Sequence, residues 1–187
     1  MTEIDIRTVY LRDVIRQFSY YKSLGDKALS KAPDESLHTE LDANSNSLAI
    51  IVKHVGGNLR SRFRDFLTTD GEKPDRLRDT EFEMTGRASR EEILGWWNDG
   101  WTILMGTLND LTPADLDRTI AIRKEPFLVI EALDRSLAHV SYHVGQMVYL
   151  ARHFAGASWT SLTIPKGGSA QAAAAGGTFK ATVDRQG

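Results

Sequence analysis

The run TTDGEKPDRLRDTEFEMTGR, Thr68 to Arg87, decides how this chain folds. It is polar, carries the turn formers Gly71 and Pro74, and has no helical stripe. Apolar residues at helical spacing flank it on both sides. A simple antiparallel helix–helix turn needs only about 2–8 residues. This connection is long enough to run the length of a bundle, so that the helices before and after it lie parallel. Long loops inside compact domains often carry function.

Working outward, the preceding helix is expected over about Asn46 to Leu67. Its stripe is Leu48, Ile51, Val52, Val55, Leu59, Phe63 and Phe66. After the run, Ser89 and Glu92 form a capping box that starts another helix. Its stripe is Ile93, Trp97, Gly100, Trp101, Leu104, Leu108 and Leu111. A first helix is expected over Ile6 to Lys31, with Leu11, Val14, Ile15, Phe18, Tyr21 and Leu24 inward. KAPDESLH, Lys31 to His38, breaks it. A last helix is expected from near Pro126, in the favoured first-turn position, to about Phe154. DRTIAIRKEP, Asp117 to Pro126, alternates briefly and reads as a short extended segment. Four helices make an all-α four-helix bundle the expected fold, occupying residues 1–165. Residues 166–187 form a tail of small residues and glycine whose composition predicts flexibility.

Composition narrows the function. Lys and Arg number 23 against 25 Asp and Glu, a net charge of −2, so no basic excess points to nucleic acid. No apolar run approaches the roughly 20 residues of a membrane span. The charged start MTEIDIRTVYLRD does not read as a secretory signal. A soluble cytoplasmic protein is the expectation. Cysteine is absent, which excludes disulfides, cysteine nucleophiles and thiolate metal sites. Any thiol chemistry needs a thiol from outside.

Three of the five histidines fall in SLAHVSYHVGQMVYLARH, Ser136 to His153. His139 and His143 are four residues apart, about 40° apart on a helical wheel. They lie at the margin of an arc formed by Leu133, Val140, Val144, Met147 and Leu150. Ala132 and Ser136, one or two turns back, are small and leave room. Such a pair can bring two imidazoles to one metal ion. Two ligands make a weak site, and the candidate third is His54 in AIIVKHVGGNLR. Gly57 and Ser61 are small on its C-terminal side, whereas Ile50 and Ile51 are not. A glycine pair in mid-helix costs roughly 1 kcal/mol per glycine against alanine, and close approach of a helix or ligand is one reason for it. His38 sits in a connection and His153 is about 21 Å along the axis from His139, so neither joins the cluster. The bland alternative stays open. A buried histidine is usually a satisfied core residue, and an i, i+4 pair also arises by chance. No Glu lies between His139 and His143, so the zinc-protease H-E-x-x-H motif is absent.

Four segments carry a resemblance. They are YYKSLGDKAL, NSLAIIVKHVGGNLRSRFRDFLTTDGEKPDRLRDTEFE, WWNDGW and LAHVSYHVGQMVYLARHFAGASWTSLTIPKGGS. The chain resembles the DinB-like superfamily, with its YfiT-type metal-dependent hydrolases and low-molecular-weight-thiol transferases. The likeness falls on an uncharacterised bacterial branch. It implies an up-down-down-up bundle, often dimeric, with one metal-binding histidine on the second helix and an H-x-x-x-H pair on the fourth. These map to His54, His139 and His143, holding a divalent transition metal, zinc or nickel. The connection belongs to the resemblance and is the expected wall over the site. Asp79, Glu81 and Glu83 are candidates for a general base, and Arg76 and Arg78 for an anion contact. Solvated loop charges are the plainer reading of all five. Trp96, Trp97 and Trp101 fit an aromatic pocket, but Trp97 and Trp101 at this spacing fit core or dimer interface better. Asn58 could bond a ligand, and Gln146 could fix an imidazole tautomer. The implied reactions are transfer of a small thiol to an electrophile and hydrolysis of a small molecule. The alternative is a non-catalytic dimeric bundle, a small-molecule-binding or stress-response module, in which metal, if bound, only stabilises the fold.

Overall fold

A computed structural model describes residues 4–175. The chain is mostly helical, in agreement with an all-α bundle. Four long helices carry it: α1 over Ile6–Lys31, α2 over Leu48–Phe63, α3 over Arg90–Asp110 and α4 over Val129–Ala155. A short helix α5, Ser169–Ala174, follows in the small-residue tail, whose remaining residues 176–187, expected to be flexible, lie outside the described residues, as do residues 1–3. Among the described residues no helix is long and apolar enough to cross a membrane.

Local chemistry sets the helix ends. The Asp5 carboxylate accepts from the Arg7 and Thr8 amides at the start of α1. That helix stops at Ala32, which is extended because Pro33 follows. The Ser89–Glu92 capping box forms in both directions, at 3.2 and 2.7 Å. Arg90, in the first turn of α3, donates to the carbonyls of Leu29 and Ala32 at the end of α1. Carbonyls that the helix itself leaves unpaired are satisfied in this way.

Helix α2 ends four residues before the sequence suggests. Arg64 is extended and Asp65 has φ 50°. Phe66 nevertheless stays buried and stacks on Phe63 at 5.1 Å, so the apolar stripe outlasts the helix. The start of α4 also differs. Pro126 does not open it but lies in a hairpin of β1, Thr119–Ile122, and β2, Glu125–Leu128. Pro126 pairs with Ala121, one step from the two-residue turn. That pair does not exchange backbone hydrogen bonds, so the missing N–H is not needed there. The Ala121 carbonyl faces away from β2 and accepts from the Gly71 amide at 2.8 Å. The turn residues Arg123 and Lys124 both have positive φ, 56° and 65°. Asp70 holds them by accepting from both amides, at 2.8 and 2.7 Å. The hairpin is thus tied to the long connection.

Helix α2 packs chiefly on α3, and α1 on α4. The α2–α3 seam is close because Gly56 and Gly100 face each other. A Cβ on Gly56 would overlap the Trp96 carbonyl, and one on Gly100 would meet the Gly56 backbone at 2.7 Å. Phe18, Phe63, Trp97 and Trp101 form a buried aromatic core with edge-on contacts. Trp97 and Trp101 are core residues. The Trp97 indole donates to Asp26 at 2.7 Å.

Candidate metal centre

Helices α2 and α4 bring His54, His139 and His143 together. One ring nitrogen of each lies within 4.8 Å of the others. His54 and His143 are buried, and His139 is half-buried. The Nε2 atoms of His54 and His139 are 3.2 Å apart. Two nitrogens at about 2.0–2.1 Å from one ion stand about 3.3 Å apart in tetrahedral coordination, so this spacing suits a shared cation.

Two of the rings are oriented from outside the cluster. His54 Nδ1–H donates to Glu81 Oε2 at 2.8 Å, and an ionised carboxylate can only accept. His143 Nδ1–H donates to Gln146 Oε1 at 2.8 Å. Both rings therefore present a bare Nε2 lone pair. Carboxylate- and amide-oriented imidazoles of this kind are typical of metal-ligating histidine. Arg76 grips Glu81 through two 2.8 Å bonds, from Nε to Oε1 and from Nη2 to Oε2. The Phe82 ring covers His54 at 4.7 Å, and Tyr142 lies 4.2 Å from His143.

Buried polar atoms left over test the fit of a cation. His139 Nδ1 and His143 Nε2 are buried with no hydrogen-bond partner among the described residues. If His139 Nε2 donates to His54, its Nδ1 is a bare lone pair; His143 Nε2 is bare in any case. Buried orphans of this kind are rare without an unseen ion or water. A cation between the rings would take the Nε2 lone pairs of His54 and His143 and, with the His139 proton on Nδ1, that of His139 Nε2, so the residues fit a metal. Protonation is the other route, and the site resists it. Burial, then the neighbouring His143 and His54, push His139 down to about 3. Burial also pushes His143 down to about 4 against the opposing Gln146 bond. Neutral imidazoles, the metal-binding form, are thereby favoured.

The mid-helix glycine pair now has a cause at each position. Gly56 admits α3, and Gly57 admits Glu81, whose Oε1 would collide with a Cβ there. The connection folds over α2 as a 3₁₀ turn at Arg78–Phe82. Lys53 pins it by donating to the carbonyls of Thr80 and Glu83 at 2.7 and 2.8 Å. The connection is thus the wall that the sequence suggests.

Its charged residues divide unevenly. Glu81 reaches the centre, but as the support of His54 and not as a free base. Burial works to raise its carboxyl, yet the bonds from Arg76 and His54 outweigh this and hold it below the ordinary range. Asp79 is 95% exposed and meets only its neighbour Arg78, and Glu83 is also exposed. Neither sits at the centre, so neither is a general base there. Arg76 is buried against Glu81 rather than free to meet an anion, whereas Arg78 lines the cavity beside the histidines. Asn58 lines it too. His38 bonds the Ala88 carbonyl at 2.9 Å and His153 packs on Phe154, both away from the cluster. The Arg62–Glu72–Arg123 ion pairs behind the site escaped the sequence reading. They depend on a hairpin turn that no local signal marks.

No curated protein matches the chain. A family model described as a protein of unknown function, DUF1572, matches residues 5–168, so the chain belongs to that family.

Proposed function

We propose that this protein is a metal-dependent enzyme in which His54, His139 and His143 hold one divalent ion, zinc or nickel. The observation that carries the reading is the convergence of three imidazoles on one point, two of them oriented from outside the cluster, with the buried His143 Nε2 unpartnered among the described residues. A metal held by three histidines supplies a Lewis acid with open positions, able to activate a water or a thiol near neutral pH. The chain's own groups do the rest. Glu81 and Gln146 fix two rings, and Phe82 and Tyr142 shield the centre. Cysteine is absent, so in a thiol reaction the sulfur arrives with a small cosubstrate.

Transfer of a low-molecular-weight thiol to an electrophile ranks first, and hydrolysis of a small molecule second. The ranking rests on the resemblance to thiol transferases. The same reading takes the chain as a cytoplasmic homodimer and its helices as an up-down-down-up path. The length of the α2–α3 connection and the Arg90 bonds to the end of α1 support that path. A direct test follows small-thiol consumption with an aromatic halide as electrophile. Zinc- or nickel-loaded protein should turn over, and chelated protein and His139→Ala should not. Equal rates with and without metal would contradict the proposal.

A further inference from the structure

A cavity of about 410 Å³ opens beside the three histidines. Five arginines line it, Arg62, Arg76, Arg78, Arg123 and Arg135, and among the described residues no carboxylate does. They come from α2, the connection, the hairpin turn and α4.

Two carboxylates stand behind this wall. Glu81 is held by Arg76. Glu72 is shared by Arg62 at 3.0 Å, Arg123 at 2.8 Å and Arg76 at 3.5 Å. Two acids thus serve three guanidiniums. Arg78 meets only the exposed Asp79, at 3.4 Å, and lies over the Phe82 ring at 5.1 Å. Arg135 makes no hydrogen bond or ion pair among the described residues. Guanidinium stays charged in proteins, so the excess is permanent, and a divalent ion in the centre would add to it. Cations crowded on one cavity repel each other, and a bound anion relieves this while gaining charge-assisted hydrogen bonds.

We propose that the cavity takes a small molecule through an oxyanion group, carboxylate or phosphate, held by Arg78 and Arg135. Arg135 sits one turn before His139 on α4. Arg78 starts the 3₁₀ turn whose Phe82 covers His54. The two guanidiniums therefore line the cavity beside the centre from two different elements, and the anion anchors the molecule's reacting end at the metal. The assignment deepens the proposed function and rests on it for the position of that reacting centre.

Calorimetric titration of the full zinc-loaded chain tests it, with inorganic phosphate, malonate and uncharged malonamide as probes. At least one anion should bind, and the comparison of phosphate with malonate identifies the group. Malonamide should bind at least ten-fold more weakly. Arg78→Gln and Arg135→Gln, both at exposed positions, should each weaken the anion about three- to ten-fold, with metal content unchanged. The same loss should appear in chelated protein, which separates the arginines from direct coordination to the ion. Failure of both anions to bind, malonamide equal to malonate, or variants equal to wild type would each overturn the assignment. Arginine-dependent anion binding by a protein that takes up no metal would uphold it and defeat only the metal reading.

Discussion

His54 Nδ1 lies 2.8 Å from Glu81 Oε2, and Arg76 holds the same carboxylate through two further bonds of that length. The aim of one histidine on α2 therefore depends on an ion pair that the connection places against it. Side chains of Arg76 and Glu81 are only 5% and 8% exposed.

That dependence predicts a graded response at Glu81. Glu81→Gln keeps the shape but weakens the hold on His54, and metal affinity should fall about 10–100-fold. Chelator competition measures it, and an affinity within two-fold of wild type would contradict the role. Glu81→Ala leaves the buried Arg76 only its 3.5 Å contact with Glu72, so it should also lower unfolding stability, by up to about 3–5 kcal/mol.

The neighbouring glycines should separate two effects. Gly57→Ala displaces the Glu81 carboxylate, which can shift, so it should cost metal affinity more than stability. Gly56→Ala meets the Trp96 backbone, which cannot shift without parting α2 from α3. It should cost about 1–3 kcal/mol in denaturant unfolding. The reverse order of the two variants in either measurement would argue against this account of the seam.

The hairpin turn offers a stabilising change. Lys124 has φ 65°, a conformation that L residues other than glycine occupy at a cost. Lys124→Gly should raise stability by about 0.5–1 kcal/mol after the added freedom of the unfolded chain is counted. Asp70→Ala removes the carboxylate that holds both turn amides and should lower stability by about 1–2 kcal/mol, as loss of a helix cap does. Both are read from the urea midpoint.

The helices were legible because each rests on local information, and the three histidines because local spacing was joined by a family resemblance. Periodicity marked α1 almost to the residue, and Ser89 with Glu92 marked the start of α3. Ring placement on two faces, with small neighbours, made His54, His139 and His143 candidates, and the resemblance joined them into one set. Gly57 hinted at something close to His54 without saying what. The misreadings have a common origin in non-local contacts. Pro126 matches a helix start by propensity, but pairing with Ala121 and the turn held by Asp70 from far along the chain place it in a strand. The choice of Glu81 over Asp79 and Glu83 depends on the 3₁₀ turn that Lys53 pins. Spacing within a polar loop does not encode which acid faces inward.

The central claim is that three imidazoles share one ion. Its most direct test is elemental analysis of protein prepared without a histidine tag, before and after reloading with zinc or nickel. Wild type should hold one ion per chain, and His54→Ala, His139→Ala and His143→Ala should each lose most of it while staying folded. A wild-type chain that remains metal-free after reloading would contradict the claim.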